Sequence, residues 1–168
     1  MTTKEAIAIL DGIVEPGRDL PEELFLFVSR VTPLINVDLL IQGQGNRTLL
    51  TWRDDQFYGA GWHIPGGIIR YKECAADRIQ KVASEEIGCS VEFDRTPVTI
   101  VESIVEDRNR GHFISLLYRC QLMGEPDPAR RADRPPRRGQ WKWHSGVPSD
   151  LLPAQRMYAK VLQQTGGE

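Results

Sequence analysis

From Thr3 to Val14 the apolar residues Ala6, Ile7, Ile9, Leu10, Ile13 and Val14 recur at three- and four-residue steps, the spacing that lays a stripe along one side of an α-helix. Pro16 and Gly17 stop that helix. Pro21 opens a second, with Glu22 and Glu23 where the helix dipole favours anions, running to about Arg30. Residues 1–31 thus predict a helical extension at the N-terminus. From Leu34 the pattern becomes a β-rich run to Ile41, closed by the turn formers Gly43 to Asn46 and answered by Thr48 to Arg53, which predicts a hairpin.

Further on, Pro65-Gly66-Gly67 breaks the chain before a helix predicted from about Lys72 to Ile87, with Gly88 as its left-handed cap. Two strands, Val98 to Glu106 and His112 to Leu122, are joined by a polar turn at Asp107 to Gly111. Four prolines and five arginines between Gly124 and Gly139 mark a loop. A strand from Gln140 to His144 and a helix from about Pro153 to Gln164 close the chain. This order implies an α/β domain whose mixed sheet is sandwiched by helices, with residues 1–168 forming one domain.

Composition narrows the chemistry. Hydrophobic residues make up 40% of the 168 and charged residues 26%, enough for a real core. With 21 basic and 23 acidic residues there is no global field to hold a nucleic acid, so none is expected as a partner. Cys74, Cys89 and Cys120 form no C-x-x-C pair, which argues against zinc and against a disulfide framework and points to a reducing cytoplasm. Met1 to Leu10 lacks an export signal, and no run approaches the roughly 18 apolar residues of a membrane span.

The central helix carries the strongest chemical signal. Ala76, Ile79, Ala83 and Ile87 share a stripe that should pack on the sheet, and Glu86 falls on its flank, where a carboxylate is costly unless a cation meets it. Glu85 lies further round, four residues after Lys81, so an exposed ion pair would explain it without function. Adjacent acids near a helix end, fed by a Gly-Gly turn, could make a hard-cation site for Mg²⁺, with Mn²⁺ as the alternative, although such a pair on its own is more often solvated surface.

Gly67, Glu73, and then Lys81-Val82-Ala83-Ser84-Glu85-Glu86-Ile87-Gly88-Cys89 follow the spacing G-x5-E-x7-R-E-U-x-E-E-x-G-U, with U apolar, across residues 67–89. The stretch resembles the Nudix box, departing from it at Lys81 and Val82. Arg30-Val31-Thr32-Pro33-Leu34 with Asp38, and the apolar Val82 itself, are similar to the GDP-mannose mannosyl hydrolase branch of the Nudix hydrolases, which displaces GDP from the sugar carbon. The resemblance implies an α/β/α sandwich, a divalent cation, a nucleotide-sugar substrate and a homodimer.

Carried over residue by residue, it implies a substrate-contacting acid at Asp38, a diphosphate contact at Arg53, a carbonyl ligand at Gly66, metal ligands at Glu85 and Glu86, and a polar active-site residue at His112. Arg137 and Arg138 stand where the branch has a Gln-His pair, and Ile68 where it has an arginine. An arginine is no general base at neutral pH, so His112, His144 or Glu102 would have to serve. On the residues alone, Arg53 could equally pair with Asp54 or Asp55. The arginines between Arg130 and Arg138 could form a phosphate-binding lid or a solvated loop, and Trp62, Trp141 and Trp143 could stack a base or fill the core.

Overall fold

The computed structural model describes residues 1–106 and 110–164. Strand β1 (Leu34–Gly43) is its axis, because alternate side chains of this strand feed two different cores. Val37, Leu39 and Ile41 face helix α3 (Ala75–Val82), and Leu40 faces the C-terminal helical segment. The α3 side gathers Ile79, Val82, Ala83, Ile87 and Trp141; the other gathers Leu50, Trp62, Ile64, Tyr158 and Leu162. Helices on both faces of one mixed sheet give the α/β/α arrangement that the order of elements implies.

The predicted hairpin forms only at its tip. Strand β2 (Arg47–Asp55) pairs with β1 at Gln42 with Thr48 and Gly43 with Arg47, and then the two strands part. From Arg47 to Thr51 β2 also pairs with β8 (Trp141–Ser145), and from Thr51 to Asp55 it pairs with β3 (Gly59–His63). Strand β1 instead pairs in parallel with β7 (His112–Leu122) and antiparallel with β4 (Gly66–Ile68). Their separation opens the ground between β1 and β2, and the end of α3 enters there. Strands β5 (Val91–Phe93) and β6 (Thr99–Ile104) complete the sheet on β7.

Helix α3 begins at Ala75, three residues later than its periodicity suggests, with the Cys74 sulfur accepting from the Asp77 amide. Of the expected stripe Ile79, Ala83 and Ile87 are buried, joined by Arg78 and Val82, and Ala76 alone is exposed. The last turn, Ala83–Ile87, widens into a π-helix, and Gly88 caps it at φ 74° as expected. Such π turns concentrate at functional sites because they shift side chains out of the 3.6-residue phase. The cap also fits tightly, since a Cβ on Gly88 would lie 2.6 Å from that of Asp127.

At the N-terminus, α1 (Thr3–Asp11) has a capping box between Thr2 and Glu5 but buries no residue, and Ile7 and Ile9 are exposed. Helix α2 (Glu22–Val31) begins at Glu22, with Pro21 as its N-cap. The closing segment is a 3-10 helix, Pro153–Tyr158, that runs into α4 (Ala159–Gln164). Of the turn expected at Asp107 to Gly111, residues 107–109 lie outside the described residues. No helix among the described residues is long and apolar enough to cross a membrane.

Candidate active site

A cleft of about 500 Å³ has a lining that includes Asp38, Arg53, Gly66, Glu85, Glu86 and Arg138. Six of the eight residues singled out from the sequence therefore converge. The π turn supplies the two glutamates, β1 the aspartate, β2 the first arginine and β4 the glycine. Arg138, itself exposed, reaches the cleft from the arginine-rich loop; Arg137 is exposed too, does not line the cleft, and donates its amide to the Gln140 side chain.

His112 goes elsewhere. On β7 it alternates with Phe113 and Ser115, which line the cleft, so its ring projects from the opposite face and meets Glu102 at 3.0 Å. That placement takes both His112 and Glu102 away from the cleft. His144 is also remote: it packs edge-on against Trp62, with ring centroids 4.5 Å apart. The tryptophans belong to the core. Trp62 is buried in the cluster under the C-terminal helical segment and Trp141 in the one under α3, against which Trp143 also packs.

Glu86 is the electrostatic centre of the cleft. Its Oε2 accepts from the Thr51 hydroxyl at 2.6 Å, and its Oε1 from the Gly66 amide at 3.3 Å. Both donors are neutral. Burial pushes the carboxyl up to about 7, outweighing the Thr51 hydrogen bond, the more distant charge of Arg53 and the Gly66 amide. His63 Nε2 stands 3.7 Å from it, but burial and Arg53 depress that imidazole to about 3, so the ring is neutral and supplies no counter-charge. Its Nδ1 is 2.8 Å from the Ile64 carbonyl, an acceptor, so the neutral ring carries its one proton there, and Nε2 stands 3.1 Å from the Thr51 hydroxyl oxygen.

Asp38 forms the floor. It is 3% exposed, and the Tyr158 hydroxyl donates to it at 2.6 Å. Burial lifts its carboxyl to about 6 against the pull of Tyr158, Asn36, Ser115 and Arg53. Gly66 sits directly beside it, since a Cβ there would collide with an Asp38 carboxylate oxygen and come within 2.9 Å of the Val37 carbonyl. Only glycine lets β4 pass this close. Arg53 does pair locally, with Asp55 at 3.3 Å, and it lines the cleft as well.

Lys81 does not pair with Glu85. Its ammonium meets Glu73 at 2.8 Å, as does Arg78 at 2.7 Å, so Glu73 ties the loop before α3 to the helix itself. Val82, at the second departure from the motif, is buried beside Gly67, 2.8 Å from where a Cβ of that glycine would lie. Among the described residues no three His, Cys, Asp or Glu groups converge as a metal cluster. The donors nonetheless suit one hard cation. Glu86 is a half-buried carboxylate touched by neutral groups alone, Glu85 is adjacent and exposed, and Mg²⁺ characteristically takes one or two carboxylates and keeps several waters.

Thr51, His63 and Tyr158 carry no motif. For Thr51 a signal existed, because strand alternation gives it the same face as Arg53, two residues on. His63 is its cross-strand partner on β3, a strand too glycine-rich to show a pattern. Tyr158 meets Asp38 across 120 positions of sequence, a contact no local rule exposes.

Comparison with known proteins agrees with this geometry. The model of the NUDIX domain matches residues 32–156. A curated relative, the low-salt glycan biosynthesis protein Agl8 of Haloferax volcanii, is 27% identical over 112 residues, covering 64% of this chain and 71% of its own length. Among solved structures, a MutT Nudix hydrolase from Burkholderia pseudomallei superposes with a TM-score of 0.61 at 24% identity, over 77% of this chain and 97% of the other. A protein described as an asymmetric diadenosine tetraphosphate hydrolase from Jonesia denitrificans gives 0.62 at 17%, over 82% and 96%. With the family model spanning the two strands, the glycine pair and the glutamate turn that build the cleft, the chain belongs to the NUDIX domain family.

Proposed function

We propose that this chain is a single-domain, divalent-cation-dependent hydrolase of nucleotide sugars of the GDP-mannose kind, releasing the sugar and a nucleoside diphosphate. The observation that carries the reading is the pairing of Glu86, a cleft carboxylate held by neutral donors only, with a buried Val82 where the Nudix box has an acid. The first calls for a cation. The second removes the extra carboxylate that would gather further metal around a phosphorus centre, and so favours attack at carbon. The glycan-biosynthesis description of the Haloferax relative points the same way.

Glu86 and Glu85 would hold Mg²⁺ or Mn²⁺, with the Gly66 carbonyl as a third oxygen. When bound, the cation neutralises charge building on the diphosphate as it leaves. Arg53 and Arg138 line the same cleft and add donors for phosphate oxygens. Asp38, held by Tyr158 on the floor, offers an acceptor oxygen to a substrate hydroxyl. With most of these groups fixed before substrate arrives, charge stabilisation supplies most of the rate. The exposed apolar side chains of the N-terminal helices, Ile7, Ile9 and Phe27, would form a homodimer contact, tested by sedimentation.

Phosphorus-31 NMR of the purified protein with Mg²⁺ and GDP-mannose tests the reaction. The expected product is GDP with free mannose. A nucleoside monophosphate would show attack at phosphorus, and an intact nucleotide sugar that stays bound would show a binding protein.

A further inference from the structure

The helical extension lies outside residues 32–156, the stretch that the family model matches, yet it reaches the cleft. Two contacts fasten the loop between α1 and α2 beside β4. The Gly17 amide donates to the Tyr71 carbonyl at 3.0 Å, and the Asp19 carboxylate stands 2.5 Å from Nε of Arg70. Arg70 belongs to the cleft. Gly66, Ile68 and Arg70 alternate with Gly67 and Ile69, whose positions face the α3 core, and all three of the former line the cavity.

The backbone of Arg70 is fixed from both sides, its amide donating to Glu73 Oε2 at 2.9 Å and its carbonyl accepting from the Glu73 amide at 3.0 Å. Its guanidinium is held far less firmly. The Nε is buried and makes no hydrogen bond, so the Asp19 contact is one of charge, with an N–H that is not aimed at the oxygen. Asp19 is the one carboxylate in ion-pairing distance of the Arg70 side chain among the described residues, and it is 77% exposed. Arg78 is the contrast. Buried on α3, it gives both Nε and a terminal nitrogen to Glu73, at 2.8 and 2.7 Å.

An arginine on a cleft wall whose only counter-charge sits mostly in water keeps its donors for an anion. Phosphate oxygens match the planar fork through charge-assisted hydrogen bonds, whereas an exposed ion pair contributes little. The exchange therefore favours the ligand. We propose that Arg70 binds a phosphate of the substrate and that Asp19 is its built-in competitor, displaced when the diphosphate enters. The same carboxylate reclaims Arg70 as the nucleoside diphosphate leaves. This rests on the reading of the cleft as a diphosphate site, and the test separates the two.

Calorimetric titration of GDP into the full chain with Mg²⁺ compares the wild type with Arg70→Gln, Asp19→Asn, the double variant and Glu15→Gln. Arg70→Gln should weaken binding about tenfold or more, as the loss of a charged hydrogen bond does. Asp19→Asn should tighten it about two- to fivefold, the range of an exposed ion pair. That gain should vanish in the double variant, which should bind like Arg70→Gln. Glu15→Gln removes an equal charge from the same loop, where its partner is Arg18, and should bind like the wild type. Because Asp19 is exposed, its variant decides the matter if Arg70→Gln does not fold.

Wild-type affinity in Arg70→Gln would overturn the proposal and leave the diphosphate reading standing. Weaker binding in Asp19→Asn would overturn it too, making Asp19 a residue that orients Arg70. So would equal tightening in Asp19→Asn and Glu15→Gln, a general effect of charge, or a gain that persists in the double variant. If the wild type bound no GDP, the diphosphate reading would fall, and this one with it.

Discussion

Two carboxylates of the same motif stand thirteen residues apart and have opposite fates. Glu73, before α3, takes the Lys81 ammonium, the Arg78 guanidinium and the Arg70 amide. Burial alone would raise its carboxyl, but Lys81, Arg70 and Arg78 together hold it down at about 2. Glu86, on the π turn, is buried against a hydroxyl and an amide and is pushed up to about 7. The protein has spent two cations on the first and none in contact with the second. A carboxylate already neutralised by the chain is a structural clamp; one left with neutral donors in a cleft suits a ligand that brings positive charge.

The largest expected effect lies on the Glu86 side. Glu86→Gln should lower turnover by about a hundredfold or more, the scale of losing several kcal/mol of charge stabilisation, without lowering the melting temperature. Steady-state rates and a thermal melt on the same sample check both halves. Glu73→Gln should do the reverse. Removing one partner of a buried ion pair costs about 3–5 kcal/mol, here because Arg78 is left unpaired, and a chain of this size should melt roughly 10 °C lower. Turnover per folded molecule should fall much less than in Glu86→Gln.

Acid separates the two further. Glu73 has its folded value below its ordinary 4.5, so the stability it contributes is complete above about 4.5 and is lost as the pH falls towards 2. Glu86 has its folded value raised, so its contribution is present below 4.5 and is lost as the pH rises through 7. Urea titrations of Glu73→Gln and Glu86→Gln against pH should each lack the corresponding slope.

Gly66→Ala tests the close approach of β4 to the floor. Its Cβ has to displace Asp38, at a cost of about 1–3 kcal/mol, and should impair turnover along with stability. The smallest effect belongs to a histidine outside the cleft. His144 Nε2 is buried without a hydrogen-bond partner among the described residues, and burial, helped by Lys142, depresses the ring to about 4. Stability tied to it is full above about 6.5 and falls as the pH drops towards 4, because the unfolded chain takes up the proton first. His144→Phe should flatten that fall and gain about 1 kcal/mol near neutral pH, measurable by urea unfolding.

Much of this contrast was legible in the sequence, but not all for the same reason. Helix periodicity is a local signal, so α3, its Gly88 cap and the awkward flank position of Glu86 could be read directly. The π turn could not, since nothing in Ala83 to Ile87 distinguishes a five-residue turn from a regular one. The four-residue spacing offers Lys81 to Glu85, but Glu73 takes it because a second cation and an amide already hold that carboxylate in place. Strands β3 and β4 are short and glycine-rich, leaving no alternation to find, and His63 was hidden with them. His112 shows the limit of sequence matching. One step of strand parity moved it to the other face, where Glu102 meets it.

The central claim is that Glu86 is the carboxylate reserved for a divalent cation, and the most direct test is the Mg²⁺-induced rise in melting temperature at pH 8, where the Glu86 carboxyl is ionised. The wild type and Glu73→Gln should both show the rise, and Glu86→Gln should not. A rise that survives in Glu86→Gln and vanishes in Glu73→Gln would contradict the account.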